Sequence, residues 1–569
     1  MHELVIRGGT LIDGTGAPRR IADVAVDNGR ITAVGDVPQR GKREIDASGL
    51  LVTPGFVDIH THYDGQATWD STLTPSSWHG VTTAIFGNCG VGFAPVKPGT
   101  TDFLINLMEG VEDIPGTVLN EGVSFNWESF PEYLDELERR PRTMDVGAQV
   151  PHAALRFYVM GERGADYQAT PTDAEAARMG DLLEEALRAG AFGFSTSRTT
   201  KHKARDGRLV PTLSADEPEL FALALAMKRA GRGVLEVNSD WGQGEFEILR
   251  DAARLAGRPL SCLLLQYHQA PERWRDVMAG IADARREGVE VSAQVATRPV
   301  GVIMSLDTTV NPFGSHPTWV RELAPLPHAE RVARLRGDAA LRERLLADAP
   351  RSHWLAERLA TAYPIGEVPD YEPAPEQSVA ALARAEGKTL WAKALELLLE
   401  DDGNGLLMHP FENYHAGNMD VVREMLVNPF SVVSGSDAGA HVSTICDASS
   451  PTSLLVHWGR DRRRGRGLDL EFVVHKQTQG NAQSYGLTDR GVVAPGLRAD
   501  LNIIDFEQLQ LCKPQVVADL PAGGRRFIQR ARGYRHTFVA GVETLRDDEL
   551  TGALPGRLLR AGTLETHDA

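Results

Sequence analysis

The stretch VDIHTHYDG, residues 57 to 65, sets two histidines one residue apart at the end of an apolar run that begins at Leu50. In an extended chain residues i and i+2 point to the same side, so His60 and His62 present imidazole nitrogens to one shared object. Neutral imidazole is a common ligand of transition metals, and a metal ion is such an object. A lone histidine on an apolar strand is more often a packed core residue. A pair at a strand end, followed at once by Tyr63-Asp64-Gly65, is poorly explained by packing.

Other polar residues stand at the ends of later apolar runs: Cys89 in FGNCG, His152 in VPHAALR, Ser195 and Thr196 in AFGFSTS, Asn238 and Asp240 in VLEVNSD, His268 in LSCLLLQYH and Asp437 in GSDAGAH. Such residues become neighbours when the C-terminal ends of parallel strands converge on one mouth. The pattern between Gly55 and about Asp437 calls for that arrangement, because short apolar runs alternate with amphipathic helices. One helix opens with a capping box, Thr172 and Glu175, carries Met179, Leu182, Leu183, Ala186 and Leu187 on one stripe, and stops near Gly190. About eight such alternations predict an α/β architecture, a TIM-like (β/α)8 barrel of parallel strands joined by helical crossovers. The first and last strands of a closed barrel are neighbours, so Asp437 can reach a metal held by His60 and His62.

The two ends of the chain read differently. Residues 1–55 alternate short β-rich runs with turns, and Asn28-Gly29 between two alternating runs is a hairpin signal. GVVAPGLRADLNIID turns β-rich again, so residues 1–55 and 490–569 are expected to build one small β-sandwich domain around a barrel domain of 56–489. Residues 318–400, rich in Ala, Leu, Arg and Glu, are too long for a barrel crossover and read as a helical insertion over the mouth.

The chain has 569 residues, 42% of them apolar, and a formal net charge of -17. The charge argues against nonspecific attraction to nucleic acid or to an anionic membrane. DRRRGR at 461 to 466 is the one dense basic run and reads as a solvated turn. Four cysteines are too few for a disulfide framework, and no leader or membrane-spanning run is evident, which predicts a cytoplasmic protein. Homo-oligomerisation is left open. Cys262, Cys446 and Cys512 have no partner pattern, and the two histidines of MHPFENYHAGN are read as pocket lining rather than ligands.

GTLIDGTG, TPGFVDIHTHYD, VTTAIFGNCGVGFAP, VPHAALRFYVMG, EALRAGAFGFSTS, GSDAGAH, NAQSYGLTDRGVVAPGLRADLNIID and TFVAGVETLRDDELTGALPGRLLR resemble the amidohydrolase superfamily, and within it the N-acyl-D-amino-acid deacylases. The resemblance runs through nearly the whole chain except the insertion. It implies a zinc-dependent hydrolysis of a C–N bond in an N-acyl amino acid, with His60, His62, Cys89 and Asp437 as metal ligands. Imidazole, thiolate and carboxylate all suit Zn²⁺. The chain departs from the pattern at the fifth strand, where Asn238, Ser239 and Asp240 stand in place of a histidine. At the sixth strand His268 in LLLQYHQ stands near the family's ligand position, shifted by one residue. One tightly bound zinc is therefore expected, with Cys89 and His268 left to hold a second. FSTSR lacks the lysine that is carbamylated in other branches.

Asp437 is the expected general base and acid, taking a proton from the attacking water and delivering it to the leaving amine. His152, His202 and His441 are candidate substrate contacts, and Arg198 and Arg298 candidate partners for a substrate carboxylate, because guanidinium matches that group bidentately. Two other readings compete: an amidohydrolase acting on a carbamate, urea or cyclic amide, since fold alone does not fix substrate, and a metal-poor scaffold without catalysis.

Overall fold

A computed structural model describes residues 1–348 and 353–562. Residues 349–352 of the expected insertion and 563–569 of the expected terminal domain lie outside the described residues.

Eight strand segments of the middle of the chain pair in parallel, each with its neighbour in sequence order. They are Phe56–Asp58, Val81–Phe86, Asp145–Ala148 continued by Val150–Pro151, Gly193–Arg198, Val234–Ser239, Leu260–Leu264, Val291–Ala296 and Ser431–Ser434. Beyond the strand ends, Thr61 and Ala438 form a parallel bridge, and the His62 amide donates to the Ala438 carbonyl at 2.7 Å. The first and eighth segments thus meet just where the candidate ligands leave them. Every residue of Val81–Phe86, Gly193–Arg198, Val234–Ser239 and Val291–Ala296 is buried, as expected of parallel strands covered on both faces.

Helices fill the crossovers. Asp173–Ala189 begins at the expected capping box, in which the Thr172 side chain accepts from the Glu175 amide and Glu175 reaches back to Thr172. It ends at Gly190, whose φ of 117° is open to glycine.

The terminal segments meet in one nine-stranded sheet, where Leu51–Pro54 lies antiparallel to Leu501–Ile504. Asn28 and Gly29, at φ of 50° and 73°, turn the chain between Arg20–Asp27 and Arg30–Gly35, the hairpin geometry that Asn-Gly favours. Buried Arg490 ties this part to the parallel strands. Its guanidinium donates to Asp145 at 2.8 Å, to Thr83 at 2.7 Å and to Asp489 at 2.8 Å.

The region of the expected insertion carries helices His328–Gly337, Ala339–Ala347, His353–Ala360, Val379–Ala385 and Leu390–Leu398. They pack around a separate apolar cluster that includes Phe313, Trp319, Leu335, Leu345 and Leu398. A three-stranded sheet of Val300–Met304, Leu407–Glu412 and Tyr363–Pro364 joins this cluster to the rest of the chain. The DRRRGR run is solvated only in part: Asp461, Arg463, Gly465 and Arg466 are exposed, but Arg462 and Arg464 turn inward. The Arg462 side chain is fully buried, donating to Glu372 and Asp420, and Arg464 donates to the carbonyls of Pro373 and Gly417. Carboxylates and carbonyls supplied by loops distant in sequence draw both guanidiniums inward.

Candidate metal centre

His60 and His62 follow the first parallel segment and Cys89 follows the second. One ligand atom from each lies within 4.8 Å of the other two, the single such group among the described residues. The Cys89 Sγ is 3.4 Å from His60 Nε2. From the end of the eighth segment, Asp437 Oδ1 comes within 3.4 Å of His60 Nε2 and 3.7 Å of His62 Nε2. Two nitrogens and a sulfur form one group, and the Asp437 carboxylate stands against its two imidazoles.

Local backbone geometry fixes this convergence. Cys89 and Asp437 adopt left-handed conformations, with φ of 55° and 43°, an uncommon state for residues with a Cβ that collects at functional sites. Gly90, at φ 68°, brings the Cys89 loop against the fourth segment, where a Cβ would lie 2.9 Å from the Ser197 nitrogen and the Thr196 Cα. Gly439, at φ 95°, does the same for the Asp437 loop, where a Cβ would lie 2.7 Å from the His62 carbonyl oxygen.

Each imidazole is oriented by a second group. His60 Nδ1 donates to Gln294 Oε1 at 2.7 Å, which leaves Nε2 as the lone-pair nitrogen. Ser434 donates to the same Gln294 oxygen at 2.7 Å, while the Gln294 amide donates to Ser261 at 2.8 Å. His62 turns Nδ1 towards Glu112 Oε1 at 3.4 Å. Glu236 accepts from the Cys89 amide at 2.9 Å and lies 3.8 Å from His60 Nδ1. Glu112, Glu236 and Gln294 are all missed by sequence reasoning. Glu236 and Gln294 leave a faint trace, as polar residues inside the apolar runs VLEV and AQVA. Glu112 leaves none.

The protonation states suit metal binding. Burial pushes the His62 imidazole down to about 4, outweighing the pull of the Asp437 carboxylate 3.7 Å away, so it is neutral at neutral pH. Burial raises the Asp437 carboxyl, but the neighbouring imidazoles of His62, His60 and His441 outweigh it and hold the group well below the usual range. Burial, then Glu236, Glu112 and Asp437, push the Cys89 thiol well up, so the metal-free site keeps it protonated. Burial likewise lifts Glu236 to about 7.

The remaining expected residues fall into two groups. His202 and His441 come to the site. His202, on the loop after the fourth segment, accepts from Asn238 at 3.3 Å, and Asn238 is itself 3.6 Å from the Cys89 sulfur. An imidazole from another loop thus stands beside the fifth-segment asparagine. His441 Nε2 lies 3.5 Å from Glu112 Oε2.

His152, Arg198, Arg298 and His268 are engaged elsewhere. His152 is fully buried between Thr196 at 2.9 Å and Glu219 at 3.1 Å. Arg198 is held bidentately by Glu245, and Arg298 by Asp447 and Ser449 over the Tyr371 ring. Internal carboxylates thus already hold both guanidiniums. His268 does not join the ligand group. Its amide donates to Glu412 at 3.1 Å and its ring packs on His415.

The family model described as amidohydrolase family matches residues 43–544. The chain belongs to the amidohydrolase family. It is 28% identical to a D-aminoacylase of Alcaligenes xylosoxydans xylosoxydans over 98% of this chain and 97% of that one. Among solved structures, this amidohydrolase superposes with a TM-score of 0.65 at 25% identity on a D-aminoacylase with a binuclear metal centre, one metal activating and the second attenuating. The match covers 98% of this chain and 100% of that one. An N-acyl-D-glutamate deacylase from Bordetella bronchiseptica, complexed with zinc and a phosphonate mimic of the tetrahedral intermediate, gives 0.64 at 27% identity over 98% of this chain and all of the other.

Proposed function

We infer that this amidohydrolase is a zinc-dependent deacylase that cleaves the amide bond of small N-acyl amino acids of D configuration. The convergence of His60, His62 and Cys89 within 4.8 Å, with Asp437 against both imidazoles, carries the reading. The D preference rests on the relatives. The eight parallel segments are read as a closed (β/α)8 barrel, supported by the Thr61–Ala438 bridge. The domains are read as 56–489 with the 318–400 insertion, and a terminal β-sandwich of 1–55 and 490–569. Four free thiols support a cytoplasmic setting.

His60, His62, Cys89 and Asp437 would hold the ion. Zinc bound there supplies Lewis-acid polarisation of the amide carbonyl and lowers the pKa of water. Asp437 takes the proton of the attacking water and returns it to the leaving amine. It is ionised at neutral pH, and its partly open side chain lets substrate approach. Gln294 fixes the His60 ring, and Glu236 holds the Cys89 loop. One tightly held ion is the favoured stoichiometry, because His268 stands outside the ligand group.

The test is turnover of a panel of N-acyl-D- and N-acyl-L-amino acids beside ureas and cyclic imides. Preferential release of D-amino acids is expected. Turnover confined to ureas or cyclic imides would refute the deacylase reading.

A further inference from the structure

Glu112 is the last residue of helix Thr101–Glu112, which reaches the site from the loop after the second parallel segment. Its side chain is about as buried as any in the chain, at 2% exposure. Among the described residues no lysine or arginine pairs with it: its two oxygens face two imidazoles instead, Oε1 at 3.4 Å from His62 Nδ1 and Oε2 at 3.5 Å from His441 Nε2. Glu112 Oε1 and His62 Nδ1 are both buried without a hydrogen bond, and at 3.4 Å they face each other. The Glu112 carbonyl also accepts from the His441 amide.

The placement runs against helix stability. The C-terminal end of a helix favours cations, yet Glu112 is followed by Asp113 in a left-handed cap at φ 50°. A carboxyl buried there, without a cation, is costly unless nearby groups use it. The two groups within reach are a candidate ligand and the loop that carries Asp437.

We propose that Glu112 is a positioning residue that orients His62 through Nδ1 and, through His441, fixes the Asp437 loop against the first parallel segment. The two ligand imidazoles are then held differently, His60 by the amide of Gln294 and His62 by the carboxyl group of Glu112. A carboxylate partner raises the basicity of a ligand imidazole and locks its ring, and loss of such a partner costs about 10- to 100-fold in metal affinity. The inference rests on the reading that His60, His62 and Cys89 bind a metal.

The experiment compares zinc affinity, by chelator competition on the metal-free full chain, for the wild type, Glu112→Gln and Glu112→Ala. The near-isosteric Gln variant carries the test if the Ala variant does not fold. Zinc binding weakened about 10- to 100-fold in Glu112→Gln is expected, with shifted visible bands in the cobalt-loaded protein. Affinity within about twofold of wild type and an unchanged cobalt spectrum in Glu112→Gln would overturn the proposal while leaving the metal site intact. A wild-type chain that binds no zinc would instead remove the underlying reading, and this one with it.

Discussion

Cys89 enters the folded chain as a protonated thiol, whereas a metal takes the thiolate. Loading must therefore release the thiol proton, and binding tightens as pH rises. His62, already neutral above about 4, adds no proton competition near neutrality. Zinc affinity measured between about pH 6 and pH 8 should rise at least tenfold per pH unit. In Cys89→Ser it should be weaker, with the slope reduced by about one proton. Asp437→Asn keeps the size of the side chain but loses the proton acceptor, and should lower kcat by about 10²- to 10⁴-fold, as for removal of a general base. At this scale His60, His62, Cys89 and Asp437 were legible because each follows an apolar run, and position at a strand end is a pattern a sequence displays. Glu112 and Gln294 were not. Each acts through a contact with a residue more than forty positions away, which no local periodicity encodes.

The strand and helix elements do the positioning, and their signals vary in strength. Capping at Thr172 and the Asn28-Gly29 turn were readable because backbone hydrogen bonding and left-handed φ select few residue types. The fates of Arg198, Arg298 and Arg462 were not, since a guanidinium reads the same whether it meets substrate or an internal carboxylate. Gly90 shows how tightly an element sets the site. In Gly90→Ala the new methyl meets the backbone of Thr196 and Ser197 at a positive φ, so the Cys89 loop must shift. Strain of about 1–3 kcal/mol is expected for such a residue, read as a lower melting temperature together with weaker zinc binding.

Over the whole molecule, the terminal sheet and the parallel strands are joined by buried charge as well as by apolar contact. Arg490 neutralises Asp145 and Asp489, with Asp500 also near at 3.7 Å. Removing one partner of a buried pair leaves uncompensated charge and typically costs about 3–5 kcal/mol. Arg490→Met should therefore lose stability on that scale in urea unfolding, far more than a surface arginine such as Arg286. The alternation of apolar runs and helices made the α/β architecture legible, while the pairing of the two chain ends showed in the sequence only as a return of β-rich composition.

The most direct measurement is the zinc content of the purified chain beside that of a His60→Ala, His62→Ala double variant, by elemental mass spectrometry. The account predicts about one zinc per wild-type chain, as for a single site with protein ligands, and a near-complete loss in the variant. Equal zinc in both proteins, or none in the wild type after incubation with the metal, would contradict it.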